Sequence, residues 1–403
     1  MKRTLDQLEA ARLEGQRVLV RVDFNCPLKN GRVADNTRIR AALPTIRYLS
    51  EHGARVILLS HLGRPGGHRV DSLSLRPVVA ELERLLGSPV TFLEDPTSRE
   101  AVVLSRRLPR GGIALAENTR FYPGEETNDP ALAEALARLG DLYVDDAFGT
   151  AHRANASTEG VARLLKPAVA GFLMKKELDF LGRALEHPRR PFVAVMGGAK
   201  ISGKIDLIRA LLSRVDHIPI GGAMACTFFK AMGLGVGSSL VEDDKVELAR
   251  ELLDQAGARL ALPDGAVVAE RLAPDAQTRS VSRDAIPDGW AMFDIDGATE
   301  EAFGNLIREA GTVVWNGPMG VFETPPFDHG TTAVARAMAE ATDHGTITIV
   351  GGGDSAAAVA AAGLSDRMTH VSTGGGAALE FMEGRKLPGV EALDDATDQP
   401  GRP

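Results

Sequence analysis

The stretch Val195–Asp206, VMGGAKISGKID, decides how this chain is read. An apolar run ends at Met196, two glycines follow, and then Ile205, Ile208, Leu211, Leu212 and Val215 recur at helical spacing. Strand, glycine loop and helix in that order open a unit of parallel α/β sheet. Gly198, Gly203 and Lys204 fit G-x-x-x-x-G-K, yet Ile205 stands where a P-loop needs Ser or Thr for its metal. Either the loop holds phosphates with the metal ligand supplied from elsewhere, or it is only a glycine-rich turn.

The same alternation extends in both directions. Upstream lie RVLVRVDFN, ARVILLSHLGRP, GIALAENTRF and DLYVDDAFGTAHR; downstream lie HIPIGGAMA, TVVWNGPMG, ITIVGGGDS and MTHVSTGGGA. With 403 residues, 44% of them hydrophobic, the chain exceeds the roughly 250–300 residues at which one core stops growing, so two domains are expected. The segment Gly171–Pro191 reads as one amphipathic helix stopped by Pro188. It is either a connection between domains or a crossover within one sheet. The end, DDATDQPGRP, is polar and expected to be loose. No internal repeat is seen beyond the glycine tracts.

A formal net charge of −8 argues against non-specific nucleic-acid binding. Two cysteines 200 positions apart form neither a zinc spacing nor a disulfide framework. The N-terminus lacks an apolar leader and no run approaches a membrane span, so a cytoplasmic protein is expected.

Ligands of open parallel sheets sit at the carboxyl ends of the strands. In the first half those ends carry Asp23 and Asn25, His61 and Arg64, Arg120, then His152 and Arg153, with Arg38 near the start of a predicted helix. One such arginine is an ordinary surface residue; a converging set suits a small ligand with several negative charges. In the second half the ends carry glycines: 197–198, 221–222, 317, 351–353 and 374–376. These either make tight turns or let backbone N–H groups approach a nucleotide's phosphates. Asp354 either caps a helix or holds Mg²⁺ beside a nucleotide, with the Ser355 hydroxyl close by. Glu323 is an exposed acid or a ribose acceptor. GLGVGSSL, with Leu240 at the last glycine position, fails the dinucleotide fingerprint, and no kinase H-R-D loop, G-x-S-x-G or H-E-x-x-H occurs.

From end to end, in RVDFNCP, HLGRP, ENTRFYPGE, DDAFGTAHR, GGAKISGKIDLI, WNGPMGVFE, GGGDSAAA and STGGGAALEFMEGRKLPG, the chain resembles the phosphoglycerate kinase family. The resemblance implies two doubly wound, Rossmann-like α/β domains joined by a helix with a cleft between them. Residues 1–169 would bind phosphoglycerate, 170–187 would link, 188–387 would bind nucleotide, and the tail 388–403 would pack back on the first domain. It implies reversible transfer of the acyl phosphate of 1,3-bisphosphoglycerate to ADP, giving 3-phosphoglycerate and ATP, with Mg²⁺ and hinge closure, in a monomer without nucleic-acid or membrane partners.

Carried over by motif, Asp23, Phe24 and Asn25 would orient the glycerate end. His61, Leu62, Gly63, Arg64, Arg120 and Arg153 would hold the far phosphate, and Arg38 would meet the phosphoryl in transit. Gly198, Ala199, Lys200, Lys204 and Gly222 would line the nucleotide, with Asn316, Pro318, Val321 and Glu323 beside it and Gly352, Gly353, Asp354 and Ser355 at its phosphates. Asp354 would be the metal ligand. Lys204, Gly374 and Gly375 would join Arg38 in stabilising the migrating group. Ile205 would then be free to serve the core. Both possible nucleophiles, an ADP phosphate and a carboxylate, are ionised at pH 7, so no general base is required. Positioning, charge neutralisation and water exclusion carry the chemistry. Two departures, Ala223 for a third glycine and Asp296–Gly297 for Gly-Pro, leave contacts to the base open.

Overall fold

Val18, Val20 and Val22 alternate with Arg17, Leu19 and Arg21 along one central strand, and the valines enter a hydrophobic core shared with Ile39, Ile46, Val56 and Leu58. The computed structural model describes residues Met1–Ala396, which divide into two compact units. Unit 1 comprises Met1–Asp179 with the described residues 386–396, and unit 2 comprises Phe180–Arg385. The division falls inside the Phe172–Glu186 helix.

Unit 1 is built on a six-stranded parallel sheet, in the order Val90–Leu93, Ile113–Ala116, Arg55–Leu59, Arg17–Arg21, Leu142–Asp145, Ala168–Ala170. Register is regular: Arg21 lies opposite Leu59 on one side and Asp145 on the other. The chain winds outward from the central strand in one direction and later in the other, which opens a crevice at the carboxyl edge where the winding reverses. The Thr37–Glu51 helix packs Ile39, Leu43, Ile46 and Leu49 on this sheet and places Arg38 in its first turn.

The described part of the tail, up to Ala396, is tied to unit 1. Ala168 N–H donates to Asp394 (3.0 Å), Lys166 pairs with Asp394 at 2.6 Å, and Lys2 pairs with Asp395 at 3.2 Å. Gly389 N–H donates to Ala151 O at 2.9 Å within the same unit. The rest of the expected tail, 397–403, lies outside the described residues.

Unit 2 has a four-stranded parallel sheet, His370–Val371, Ile347–Gly351, Thr312–Asn316, Phe192–Met196. Isolated parallel bridges, Val193–His217 and Met196–Ile220, carry it on to the Ile218–Pro219 and Leu260–Ala261 pair. A separate antiparallel ribbon joins Arg279–Ser282, Gly265–Ala269 and Ala291–Ile295. The Ile205–Leu212 helix buries Leu207, Ile208, Leu211 and Leu212. Ile205 itself is only half-buried and so is not the core residue that the helical spacing suggests. Among the described residues no helix is long and apolar enough to cross a membrane.

Candidate active site

In unit 1 the carboxyl ends of four strands deliver the expected polar groups to one network. Asp23 follows the Arg17–Arg21 strand, pairs with the Arg38 guanidinium and accepts from Asn25 N–H at 3.2 Å. Burial works to raise the Asp23 pKa, but Arg38, Arg21 and the Asn25 N–H that it accepts hold it below the ordinary carboxylate value. Asn25 Oδ1 accepts from Gly63 N–H at 2.9 Å, and Arg120 Nη1 donates to Gly63 O at 2.8 Å. The turn at Gly63, with φ of +63°, is thereby tied to two neighbouring strand ends.

Leu62 and Phe24 serve differently from a ligand-facing side chain, since both lie in the core. Phe24 N–H is held by Ser60 Oγ at 2.8 Å, and Asn118 grips both the N–H and the C=O of Leu62. Asn118 is a fixing group that sequence reading passed over, although its place two residues past an apolar run was the available signal.

Arg120 is 5% exposed and Arg153 is open to solvent. Glu126 Oε1 lies 3.2 Å from Arg120 and 4.0 Å from Arg153, so a carboxylate stands beside both guanidiniums that the sequence reading expects to hold an anion. Arg64 is exposed on the same loop as His61.

In unit 2 a pocket of about 240 Å³ is lined by Lys204, Asn316, Gly317, Gly352, Gly353, Asp354, Ser355, Gly375, Gly376 and Leu379. That is below the roughly 300–1,000 Å³ of sites enclosing a whole drug-sized ligand, and suits a phosphate tail. Lys204 Nζ donates to Asn316 Oδ1, while the buried Asn316 Nδ2 has no acceptor. An orphaned buried donor is costly unless a ligand satisfies it. Burial presses the Lys204 pKa down to about 8, with Asp354 pulling the other way. Ser355 Oγ, buried, accepts from Gly317 N–H at 2.6 Å, so it shapes the loop beneath the pocket.

The glycines are where backbones crowd. A Cβ on Gly197 would run into the carbonyl oxygens of Gly317 and Pro318, and Gly317 has φ of +95°. This turn rests on Trp315, fully buried, whose Nε1 donates to Gly317 O at 2.8 Å. Trp315→Phe should therefore cost about 1–3 kcal/mol by stranding that carbonyl, read by urea unfolding followed with circular dichroism. Unchanged stability would show that the bond is dispensable.

Not all sequence-expected residues meet this pocket. Lys200 and Ala199 are exposed, and Gly198, Gly222, Pro318, Val321 and Glu323 lie outside its lining. Gly198 does contact it indirectly, since its N–H donates to Pro318 O and its Cβ direction faces the Lys204 stem. Gly374 is buried with its N–H given to Ser372 Oγ at 3.1 Å, leaving Gly375 and Gly376 at the pocket wall. The two sequence departures are local. Ala223 has φ of −62°, where a Cβ is free, and Asp296 caps the Gly297–Arg308 helix through Thr299 N–H at 3.0 Å.

A parallel α/β protein with arginines at the strand ends of one unit and a lysine, glycines and an aspartate around a pocket in the other belongs to the class that handles two anionic ligands. The phosphoglycerate kinase family pattern matches residues 8–385. A phosphoglycerate kinase of Chloroflexus aurantiacus is 58% identical over 401 residues, 98% of this chain and 99% of the relative, and that of a Picosynechococcus species is 53% identical over 396 residues, covering 98% and 100%. The solved structure of phosphoglycerate kinase from Coxiella burnetii superposes with a TM-score of 0.89 at 42% identity, covering 98% of this chain and 99% of that one. The chain belongs to the phosphoglycerate kinase family. It is an enzyme of glycolysis that moves a phosphoryl group between 1,3-bisphosphoglycerate and ADP, giving 3-phosphoglycerate and ATP.

Proposed function

We propose that unit 1 binds the glycerate substrate and unit 2 the nucleotide, and that these residues carry the transfer. Asp23 and Asn25 orient the carboxyl end; His61, Arg64, Arg120 and Arg153 take the distal phosphate. Arg120 and Arg153 exchange Glu126 for that phosphate, a doubly charged acceptor better matched to two guanidiniums. Arg38 reaches the migrating group, helped by Lys204 and by the backbone at Gly375.

The observation that supports the nucleotide half is the Asn316 amide. It is buried, lacks an acceptor and sits beside Lys204 in the pocket wall, as a phosphate site requires. Asp354 is an exposed carboxylate in the same wall, at the first turn of the Gly353–Ala361 helix. Among the described residues no cluster of three metal-ligating side chains exists. One carboxylate completed by phosphate oxygens and water is, however, the usual way Mg²⁺ is bound. Asp354 would hold Mg²⁺, which neutralises phosphate charge when bound. Direct transfer obliges the two ligands to meet in line with water excluded, so closure of the units around their linking helix belongs to the cycle. The enzyme acts as a monomer in the cytoplasm; two buried free cysteines suit a reducing compartment.

The test is Mg²⁺- and ATP-dependent consumption of 3-phosphoglycerate, coupled to NADH oxidation. Turnover that disappears in Asp354→Asn and returns partly with excess Mg²⁺ supports the assignment. Binding of both ligands without turnover would instead mark a binding protein that has kept the fold.

A further inference from the structure

Arg21 is fully buried in the central strand of unit 1, and all three of its guanidinium nitrogens are engaged. Nε donates to Ser157 Oγ at 2.9 Å, Nη1 donates to Val22 O, and Nη2 lies 3.2 Å from His61 Nδ1. The direction of each bond is fixed by chemistry. The Ser157 hydroxyl has one proton, and Glu125 Oε1 takes it at 2.5 Å, so Ser157 accepts from Arg21. Glu125 is fully buried and also accepts from Thr119 Oγ1 and from Ser157 N–H, both at 3.0 Å. A guanidinium has only donors. His61 Nδ1 must therefore present a lone pair, and the ring's one proton is left to Nε2.

We infer that Arg21 is a positioning residue that locks His61 as the neutral Nε2–H tautomer, so that the ring is a single fixed donor across the physiological pH range. The groups facing the ring come from every packed element. Arg21 lies on the strand and Asp23 just past it, Arg38 is on the helix, and Arg120 is on the next strand end. Three of the four are cations. Burial presses the His61 pKa down to about 3, Asp23 opposes it, and Arg21, Arg120 and Arg38 add to it. A phosphate site made of permanent cations gains a proton donor without another charge, and its affinity does not vary with the protonation of the histidine. This rests on the reading of His61 as a substrate donor, but the tautomer can be measured without substrate.

The experiment is nitrogen NMR of the full chain with ¹⁵N-labelled histidine, His61 being identified by its loss in His61→Gln. Nδ1 should stay in the unprotonated range and Nε2 in the N–H range from pH 8 to pH 5. An Nδ1–H ring, a mixture of tautomers or a ring gaining a proton in that window would overturn the inference. Arg21→Met should mix the tautomers and bring titration into that window. It should raise KM for 3-phosphoglycerate about tenfold at pH 8, the worth of one hydrogen bond to a charged group, with kcat little changed. That KM should fall again towards pH 6 as the ring becomes a cation, relative to the unaltered enzyme. Arg21→Lys, also donor-only, should restore the single tautomer. Ser157→Ala, a smaller change that removes the Nε acceptor, should shift the ring the same way by less, and keeps the test open if Arg21→Met does not fold. A tautomer unmoved in both Arg21→Met and Ser157→Ala would assign the lock elsewhere and overturn the role of Arg21. Added 3-phosphoglycerate should shift the Nε2 signal of the unaltered protein. A locked ring with no such shift supports the tautomer assignment while removing His61 from the substrate site.

Discussion

Arg38→Ala should lower turnover about 10³-fold or more, with KM for 3-phosphoglycerate changed far less. Arg38 differs from the other arginines of unit 1 in how it is held. Arg120 is nearly buried and tied to Gly63 O and Glu126, so its fork is aimed at a fixed place. The Arg38 side chain is 38% exposed and anchored on one side through Nη1 to Asp23. One edge of the guanidinium thus faces a permanent anion and sets its orientation, while the rest can follow charge as it develops on a moving group. That is the profile of a transition-state contact, and charge-neutralising arginines in phosphoryl transfer are worth 10³–10⁵ in kcat. Arg38→Lys should recover only part of the loss, because an ammonium cannot hold Asp23 and a phosphoryl oxygen in one plane. Steady-state kinetics decides it: turnover within tenfold of the unaltered enzyme would move Arg38 out of the reaction and into substrate binding.

The strand ends were legible because physics repeats there. Short apolar runs bounded by glycine or by polar residues and alternating with helical stretches read as strands of a covered parallel sheet, and such sheets bind ligands at their carboxyl edges. His61 and Arg120 follow the carboxyl ends of their strands, and Lys204 and Asp354 line one pocket. What pattern could not give was the direction of each group. Phe24 and Leu62 lie beside residues expected to face a ligand, yet their side chains turn into the core. Gly374 belongs to a tract of three, but its N–H is spent on Ser372. Ile205 sits at helical spacing and still falls at the edge of the buried face. Arg21 was hidden for the opposite reason. Inside RVLVR it looks like the polar half of an alternating strand, whereas both faces of this sheet are covered, so a charge there demands partners that only tertiary structure reveals.

Lys204→Met should cost activity without costing stability. Lys204 sits just before the Ile205–Leu212 helix, with its ammonium drawn into the pocket wall against Asn316. Holding a cation there is unfavourable: burial takes the pKa from the ordinary 10.5 to about 8, although the charge of Asp354 pulls it back up. A folded-state pKa below the unfolded one means that at pH 7 the protonated lysine destabilises the free enzyme, by up to about 3 kcal/mol from the shift alone. Methionine keeps the aliphatic stem and removes the charge, and in exchange strands Asn316 Oδ1, which returns about 1 kcal/mol of that gain. The net expectation is unfolding at the same denaturant concentration or a slightly higher one. Turnover should fall about 10²–10³-fold, the usual loss when one preorganised donor to developing charge is removed. ADP affinity should weaken as well, since Asn316 alone remains of the pair. Such divergence between stability and activity is what a site strained for function predicts. If Lys204→Met unfolded markedly earlier, the lysine would be a structural partner of Asn316 rather than a charge held ready for a phosphate.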